Sequence, residues 1–194
     1  MVRNILITLL LFVSVTLNAQ KTQYHDAAQL NVIGKAVPTS RSFTRIDTAA
    51  YRFNDAVIEE FACHSTGLAV LFATDSPFIK AKWLTSGKNA SENMTAIAQK
   101  GLDLYIRQNG EWVFAGVGRP QMDQGPDYAS HKSTIVKSMA PGRKECLLYL
   151  PLYDRLDSLF IGIAEDSYIE PLENPFRHRI VIKGSSVTHG LAAS

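Results

Sequence analysis

The chain has 194 residues, of which 46% are hydrophobic and 20% charged, as in a globular protein with one sizeable domain and room for part of a second. Its formal net charge is only +2, and its lysines and arginines form no dense run. This balance argues against a nucleic-acid partner, and we expect none.

Residues 1–19 have the pattern of a secretory signal peptide. Arg3 gives a positively charged start, residues 5–17 are mostly apolar, and Ala19 is a small residue before the expected cleavage site. The apolar run is short for a membrane span, and an uncleaved anchor is the alternative. We therefore expect a secreted or periplasmic protein with no membrane contact after cleavage.

The two cysteines, Cys63 and Cys146, leave two alternatives open. In a secreted chain they either form a disulfide or lie as separate buried thiols. Neither has a second cysteine or a suitably spaced histidine pair nearby, so a zinc site is not expected. We predict no metal and no other cofactor.

After a weakly patterned stretch over 20–39, in which 27–32 is either a short helix or coil, short β-branched and aromatic runs alternate with turn residues. This rhythm is typical of an all-β domain, and we predict a jelly-roll-like antiparallel β-sandwich over residues 20–176. The predicted strands are 68–74, 78–84, 102–108, 111–115, 134–139, 146–152 and 158–164.

Two predicted strands alternate strictly between apolar and polar residues. In the first, Ile79, Ala81 and Trp83 share one face while lysines occupy the other, as in a half-buried strand. The second, 102–108, is followed by Asn109-Gly110, which favours a type I′ hairpin because both residues tolerate positive φ. The run 146–152 is nearly all apolar and is expected to be buried on both faces.

The segment 177–194 differs from the rest of the chain. A short β-branched run, 180–182, suits a central strand of an α/β domain, and a Gly-Ser-Ser turn follows it. Several hydrolase folds expose a catalytic serine on a turn between a strand and a helix, where backbone N–H groups meet an oxyanion. Spacing alone leaves two alternatives open, a catalytic turn and a turn without a function.

The residues from Gly184 to Gly190, Gly-Ser-Ser-Val-Thr-His-Gly, resemble the first conserved block of SGNH (GDSL-type) hydrolases in the form Gly-Ser-Ser-Ile-Thr-Gln-Gly. The resemblance implies that Ser186 is the catalytic nucleophile and that its own backbone N–H is one donor of the oxyanion hole. Val187 is a conservative replacement in this block, and His189 stands where glutamine is common.

A second resemblance concerns the Gly-x-Asp-Leu-Tyr signature of a domain found upstream of such esterases. The signature residues here are Gly101, Asp103, Leu104 and Tyr105. Residues 148–153 and 159–162 are similar to that domain's second characteristic stretch. The resemblance implies a β-sandwich followed by an α/β/α SGNH catalytic domain. Residues 177–194 would be the start of that domain, and the rest of it is the expected partner.

The implied chemistry is serine ester hydrolysis, in which Ser186 attacks the acyl carbon, a histidine acts as base and an aspartate orients it. The expected substrate class is a carbohydrate acyl ester. The family's later Gly, Asn and Asp-x-x-His blocks are absent from this sequence. The pair most similar to Asp-x-x-His is Asp127 with His131, which are four residues apart and precede Ser186. We therefore expect a fragment that has no esterase activity by itself.

Several residues keep alternative interpretations. Asp103 and Tyr105 share a strand face and either contact the partner domain, line a cleft, or make a structural hydrogen bond. A sugar-stacking platform of Trp83, Trp112 and Tyr105 would suit pyranose rings, although burial is favoured for Trp83. The rival function is a stand-alone carbohydrate-binding β-sandwich. We interpret four scattered histidines as surface or packing residues: His25, His64, His131 and His178.

Overall fold

The computed structural model describes residues 20–87, 92–121 and 129–192. The predicted signal peptide lies outside these ranges, and so does Asp127. The described residues form ten strands and three short α-helices. The strands are β1 (Thr22–Asp26), β2 (Asn31–Ile33), β3 (Ala69–Thr74), β4 (Ile79–Thr85), β5 (Leu102–Gln108), β6 (Glu111–Gly118), β7 (Ser130–Val136), β8 (Lys144–Tyr149), β9 (Leu156–Ala164) and β10 (Ile169–Pro171); the helices are α1 (Ala56–Ala62), α2 (Ala96–Lys100) and α3 (Ser186–His189).

The strands form two antiparallel sheets. One sheet has the order β1-β9-β4-β7, and the other has the order β10-β3-β8-β5-β6. β2 also pairs with β3, where it faces Ala69 to Leu71, while β10 faces Phe72 to Thr74 along the same edge. The predicted all-β antiparallel sandwich is therefore confirmed.

The core lies between the two sheets, as the alternating pattern predicts. On β4, Ile79, Ala81 and Trp83 are buried while the lysines between them face outward. On β5, Leu102 and Leu104 are fully buried. Burying such apolar surface is the main favourable contribution to the free energy of folding. The main core cluster also includes Val70, Phe72, Leu148, Leu159, Ile161 and Ile163.

The predicted hairpin between β5 and β6 is confirmed. Gln108 pairs with Glu111, and the two residues between them are left-handed, with φ of 50° at Asn109 and 88° at Gly110. Positive φ at both central positions is what a type I′ turn requires.

β7 begins four residues and ends three residues before the predicted strand 134–139. Its inward-facing side chains are His131, Ser133 and Ile135, so only one of the three is apolar. The hydrophobic alternation that marks a strand is therefore missing from its sequence. β1 was also not predicted, because this edge strand, Thr22–Asp26, is largely polar.

Cys63 and Cys146 are both free thiols, so the structure has no disulfide between them. Cys146 is fully buried in the core, and this burial raises the pKa of its thiol to about 12. Among the described residues, no helix has both the length and the apolar character that crossing a membrane requires.

A buried ion pair joins Lys100, at the end of α2, to Asp154, after β8. Both side chains are almost completely buried. The ammonium group of Lys100 also donates to Ser86 O at 2.8 Å and to Thr85 Oγ1 at 3.2 Å. Three acceptors thus satisfy the three N–H groups of a lysine that cannot reach water.

Removing one partner of this pair should destabilise the fold strongly. We expect Asp154→Ala to lower the free energy of unfolding by about 3–5 kcal/mol, because it leaves an uncompensated ammonium group in the core. The matched control is Asp157→Ala, which removes an exposed pair with Arg155 and should cost less than about 1 kcal/mol. Urea unfolding of both variants measures the difference, and equal losses would contradict this account.

Candidate functional site

The predicted nucleophile turn forms one turn of helix, α3. Ser185 is its N-cap residue with an extended backbone, and Gly190 ends it in a left-handed conformation with φ of 107°. The amide of Leu191 donates to Ser186 O at 2.9 Å. The preceding residues Ile180, Val181 and Ile182 are 72–81% exposed and belong to no strand among the described residues. The first strand of a following domain therefore stays a prediction.

Gly184 is fixed by a close approach within this turn. The side chain of Thr188 lies where a Cβ atom on Gly184 would have to be. Any larger residue would force the two ends of the turn apart. The glycine of the predicted Gly-Ser-Ser turn is thus required on steric grounds, independently of any catalytic role.

Ser186 is a half-buried residue, and its hydroxyl group makes no hydrogen bond to any described residue. The nearest histidine in sequence, His189, points into the sandwich, and its Nε2 lies 3.2 Å from Nδ1 of His64. The described part of the chain therefore contains an accessible serine without a base on its hydroxyl. A serine hydroxyl without a base is a weak nucleophile.

The imidazole of His189 lies in an aromatic cage on the sandwich. Its ring centroid is 4.7 Å from that of Tyr153, 5.0 Å from that of His64 and 5.5 Å from that of Phe61. The guanidinium of Arg45 lies 3.5 Å from Nε2 and also donates to the carbonyl groups of Phe61 and His64. These contacts attach the predicted nucleophile turn to the sandwich.

The cage keeps His189 neutral. Burial, Arg45 and His64 together lower the pKa of His189 from 6.5 to about 4. Burial also lowers the pKa of Arg45. Sequence reasoning missed this cluster because its members come from distant positions and carry no spacing signal. His64 is buried, as its expected packing role requires. Its contact with His189 was not predicted.

The Gly-x-Asp-Leu-Tyr motif begins at the end of α2 and continues along β5. Gly101 donates to Ile97 O at 2.8 Å, and a Cβ atom there would collide with that same carbonyl. Leu102 and Leu104 point into the core. The glycine and the leucine of the motif are thus explained by packing alone.

Asp103 and Tyr105 lie on the outer face of the same strand. Asp103 is opposite Tyr149 on β8, and the ring of Tyr105 is 5.7 Å from that of Tyr149 and 5.6 Å from that of Phe114. Desolvation by these neighbours raises the pKa of Asp103, although the residue keeps contact with solvent. Its carboxylate accepts no hydrogen bond from the described residues, so the expected structural hydrogen bond is not found there.

Trp83 belongs to the main core, whereas Trp112 packs against the same outer apolar cluster as Tyr105. Trp83 is buried and its Nε1 donates to Lys100 O at 2.9 Å, which confirms the burial that was favoured for it. Trp112 is half-buried, 6.3 Å from the ring of Phe176. On this face the ring of Tyr105 contacts those of Phe114 and Tyr149. Trp112 lies farther along it, against the cluster that Ala69, Leu71 and Leu147 form. No group of side chains in the described ranges is suited to hold a metal ion.

The comparison with family models identifies the sandwich. Residues 22–169 match the GxDLY family, described as the N-terminus of SGNH-hydrolase-type esterases. The chain belongs to this family. The match covers Gly101, Asp103 and Tyr105, and it ends before the turn that contains Ser186. A GxDLY domain is thus a domain that precedes an SGNH-type catalytic domain.

Two solved structures are similar to the GxDLY chain. A Bacteroides ovatus protein described as a GDSL-like lipase is 44% identical, with a TM-score of 0.82 over 88% of this chain and 49% of its own. The salicylyl-acyltransferase SsfX3 from a tetracycline biosynthetic pathway is 16% identical, with a TM-score of 0.54 over 79% of this chain and 42% of its own, and it shares the fold. The chain spans about half the length of these proteins. No curated protein matches it.

The role of Gly101 can be tested by adding one methyl group. Gly101→Ala should lower the free energy of unfolding by about 1–3 kcal/mol, because the new Cβ atom must displace the Ile97 carbonyl. Gly87→Ala is the control, since nothing lies within 4 Å of its Cβ position and its φ is not left-handed. Thermal unfolding of the two variants measures the effect. A stable Gly101→Ala variant would show that the motif glycine is not a packing requirement.

Proposed function

We propose that this chain is the N-terminal part of a secreted SGNH-type serine esterase and that Ser186 is the nucleophile. The observation that supports this most directly is the order of two features. The match to the GxDLY family, which forms the N-terminus of SGNH-type esterases, ends at residue 169. A Gly-Ser-Ser helical turn follows, and the hydroxyl group of its Ser186 makes no hydrogen bond to a described residue. The GDSL-like lipase that resembles this chain is about twice its length.

The reaction follows from the chemistry of serine. A general base takes the proton of the Ser186 hydroxyl while Oγ attacks the acyl carbonyl carbon, and the oxyanion accepts a hydrogen bond from the backbone N–H of the same residue. The tetrahedral intermediate expels the alcohol, which receives the proton from the base. Water then attacks the acyl-enzyme with help from the same base, and the acid and the free serine are released. The base and its orienting carboxylate would come from the catalytic domain beyond this chain.

The substrate class that we propose is a carbohydrate acyl ester. The outer face of the motif supports it, because Tyr149 is 39% and Phe114 56% exposed beside the unpaired carboxylate of Asp103. Aromatic faces suit the apolar faces of sugar rings, and a carboxylate accepts hydrogen bonds from hydroxyl groups. The same surface would serve a carbohydrate-binding module without catalysis, which is the second candidate function.

Loss of the Ser186 hydroxyl should abolish ester hydrolysis in the full-length protein. We expect Ser186→Ala to lower kcat on p-nitrophenyl acetate by on the order of 10³-fold or more, because no covalent intermediate can form. Ser185→Ala is the matched control, since that side chain makes no cap hydrogen bond in the turn. If Ser186→Ala keeps wild-type kcat, the nucleophile has been misassigned.

The sugar-binding role of the motif face can be separated from catalysis. In the full-length protein, Tyr149→Ala should raise KM for acetylated oligosaccharides about two- to twelvefold, because one aromatic stacking contact of about 0.5–1.5 kcal/mol is lost. KM for p-nitrophenyl acetate should stay unchanged. Phe160→Ala is the control, because Phe160 is equally exposed, at 39%, on the other sheet. An equal effect of both substitutions would argue against a specific sugar-binding face.

A further inference from the structure

The contacts that hold the nucleophile turn come mainly from the aromatic cage, with the side chain of Leu152 beside Gly190 at its end. α3 is only one helical turn, and an isolated turn of helix is unstable in water. The chain before it, 177–183, is exposed and forms no strand. His189 is the buried residue of α3, with 9% exposure, and it lies three positions after Ser186, on the same side of the helical turn.

Every wall of the cage belongs to the sandwich domain. Phe61 and His64 come from α1 and the turn that follows it, and Tyr153 comes from the segment after β8. The ring of Phe61 meets the ring of His189 edge-on, at an interplanar angle of 89°. Edge-to-face contacts of this kind are favourable beyond their buried area. The cage thus connects one domain to a residue of the turn that begins the other.

The hydrogen bonds of the cage define the state of His189. Arg45 can only donate, and its Nη2 lies 3.5 Å from Nε2 of His189. Nδ1 of His64 lies 3.2 Å from the same nitrogen. Both contacts are favourable when Nε2 of His189 is the acceptor, and we assign the proton of each ring to Nδ1 on that basis.

We propose that the sandwich domain positions the nucleophile turn through His189, with Arg45, His64 and Tyr153 as positioning residues that determine where Oγ of Ser186 lies. This inference rests on the proposed function, because it takes Ser186 to be the nucleophile. The sandwich then influences the rate through the position of the serine, since displacing a reacting group by about 1 Å can reduce the rate by on the order of 10²-fold.

Acid should weaken this attachment. Protonation of His189 would place a new N–H group against two donors, and the groups that face the ring are Arg45, His64 and Tyr153, with Glu60 acting on Tyr153. The pKa of His189 is lowered from 6.5 to about 4 in the cage. Attachment is therefore fully favoured above pH 6.5, weakens as the pH falls below that value, and loses this contribution at about pH 4.

The kinetic test uses the full-length protein and a small ester. We expect His189→Ala to lower kcat on p-nitrophenyl acetate by on the order of 10–100-fold while KM stays within about twofold, because the turn loses its position and not a substrate contact. His189→Gln should keep kcat within about threefold, since its amide oxygen can accept from the same two donors. His178→Ala is the matched control on an exposed histidine.

The structural test uses hydrogen exchange on the 194-residue chain. The amides of Gly190 and Leu191, which donate to Val187 O and Ser186 O, should exchange at least tenfold faster in His189→Ala than in the wild type. Between pH 7 and pH 4, after correction for intrinsic exchange, the wild type should lose protection there while His189→Gln should not. This contrast separates positioning by a neutral imidazole from a merely structural role, and it is measurable even if a variant has a lower melting temperature.

The outcomes distinguish the two hypotheses. If Ser186→Ala is inactive and His189→Ala keeps wild-type kcat and wild-type exchange, the positioning role is wrong and the proposed function stands. If Ser186→Ala keeps full activity, the proposed function fails, and the positioning role fails with it. The positioning role would also be overturned if kcat fell as far in His189→Gln as in His189→Ala and the exchange of the Gly190 and Leu191 amides in the wild type did not change with pH.

Discussion

The buried ion pair between Lys100 and Asp154 is the interaction on which both functional features depend. Lys100 directly precedes Gly101, where the family motif begins, and Asp154 directly follows Tyr153, one wall of the cage around His189. The amide of Tyr153 also donates to Gln99 O at 3.1 Å. A charge pair in a core is tolerated only when its hydrogen bonds are complete, so it fixes the relative position of the segments that it joins. The motif strand and the cage are thereby held in one rigid arrangement.

This arrangement gives the GxDLY domain two distinct surfaces. Along β5 the inward residues of the motif, Leu102 and Leu104, build the core, while Asp103 and Tyr105 lie outside in an aromatic surface. The second surface is the cage, which contacts the turn that carries Ser186. A sandwich with these two surfaces is suited both to hold a substrate beside a catalytic domain and to orient that domain's first catalytic element. Both roles are proposals that rest on the proposed function, in which this GxDLY domain precedes an SGNH-type catalytic domain.

The sequence predicted those parts of the structure that local pattern determines. Period-two alternation located β4 and β5, and Asn109-Gly110 located the hairpin, because both depend on neighbouring residues alone. β7 was misplaced because two of its three inward side chains are polar. The ion pair joins residues far apart in the sequence, and the cage gathers Arg45, Phe61, His64, Tyr153 and His189. The tertiary fold brings these residues together, so no local sequence pattern predicts their contacts. The resemblance to a known family located the motif and the serine but not the cage.

The central claim is that Ser186 is an activated nucleophile in the full-length protein, and covalent labelling tests it most directly. A fluorophosphonate reacts with a serine whose hydroxyl is activated by a base, and the adduct can be assigned to one residue by mass spectrometry of the digested protein. The account predicts a single adduct on the peptide that contains Gly184, Ser185 and Ser186, located on Ser186 and absent from the Ser186→Ala variant. An adduct on a different serine, or no adduct in a folded full-length protein, would contradict it.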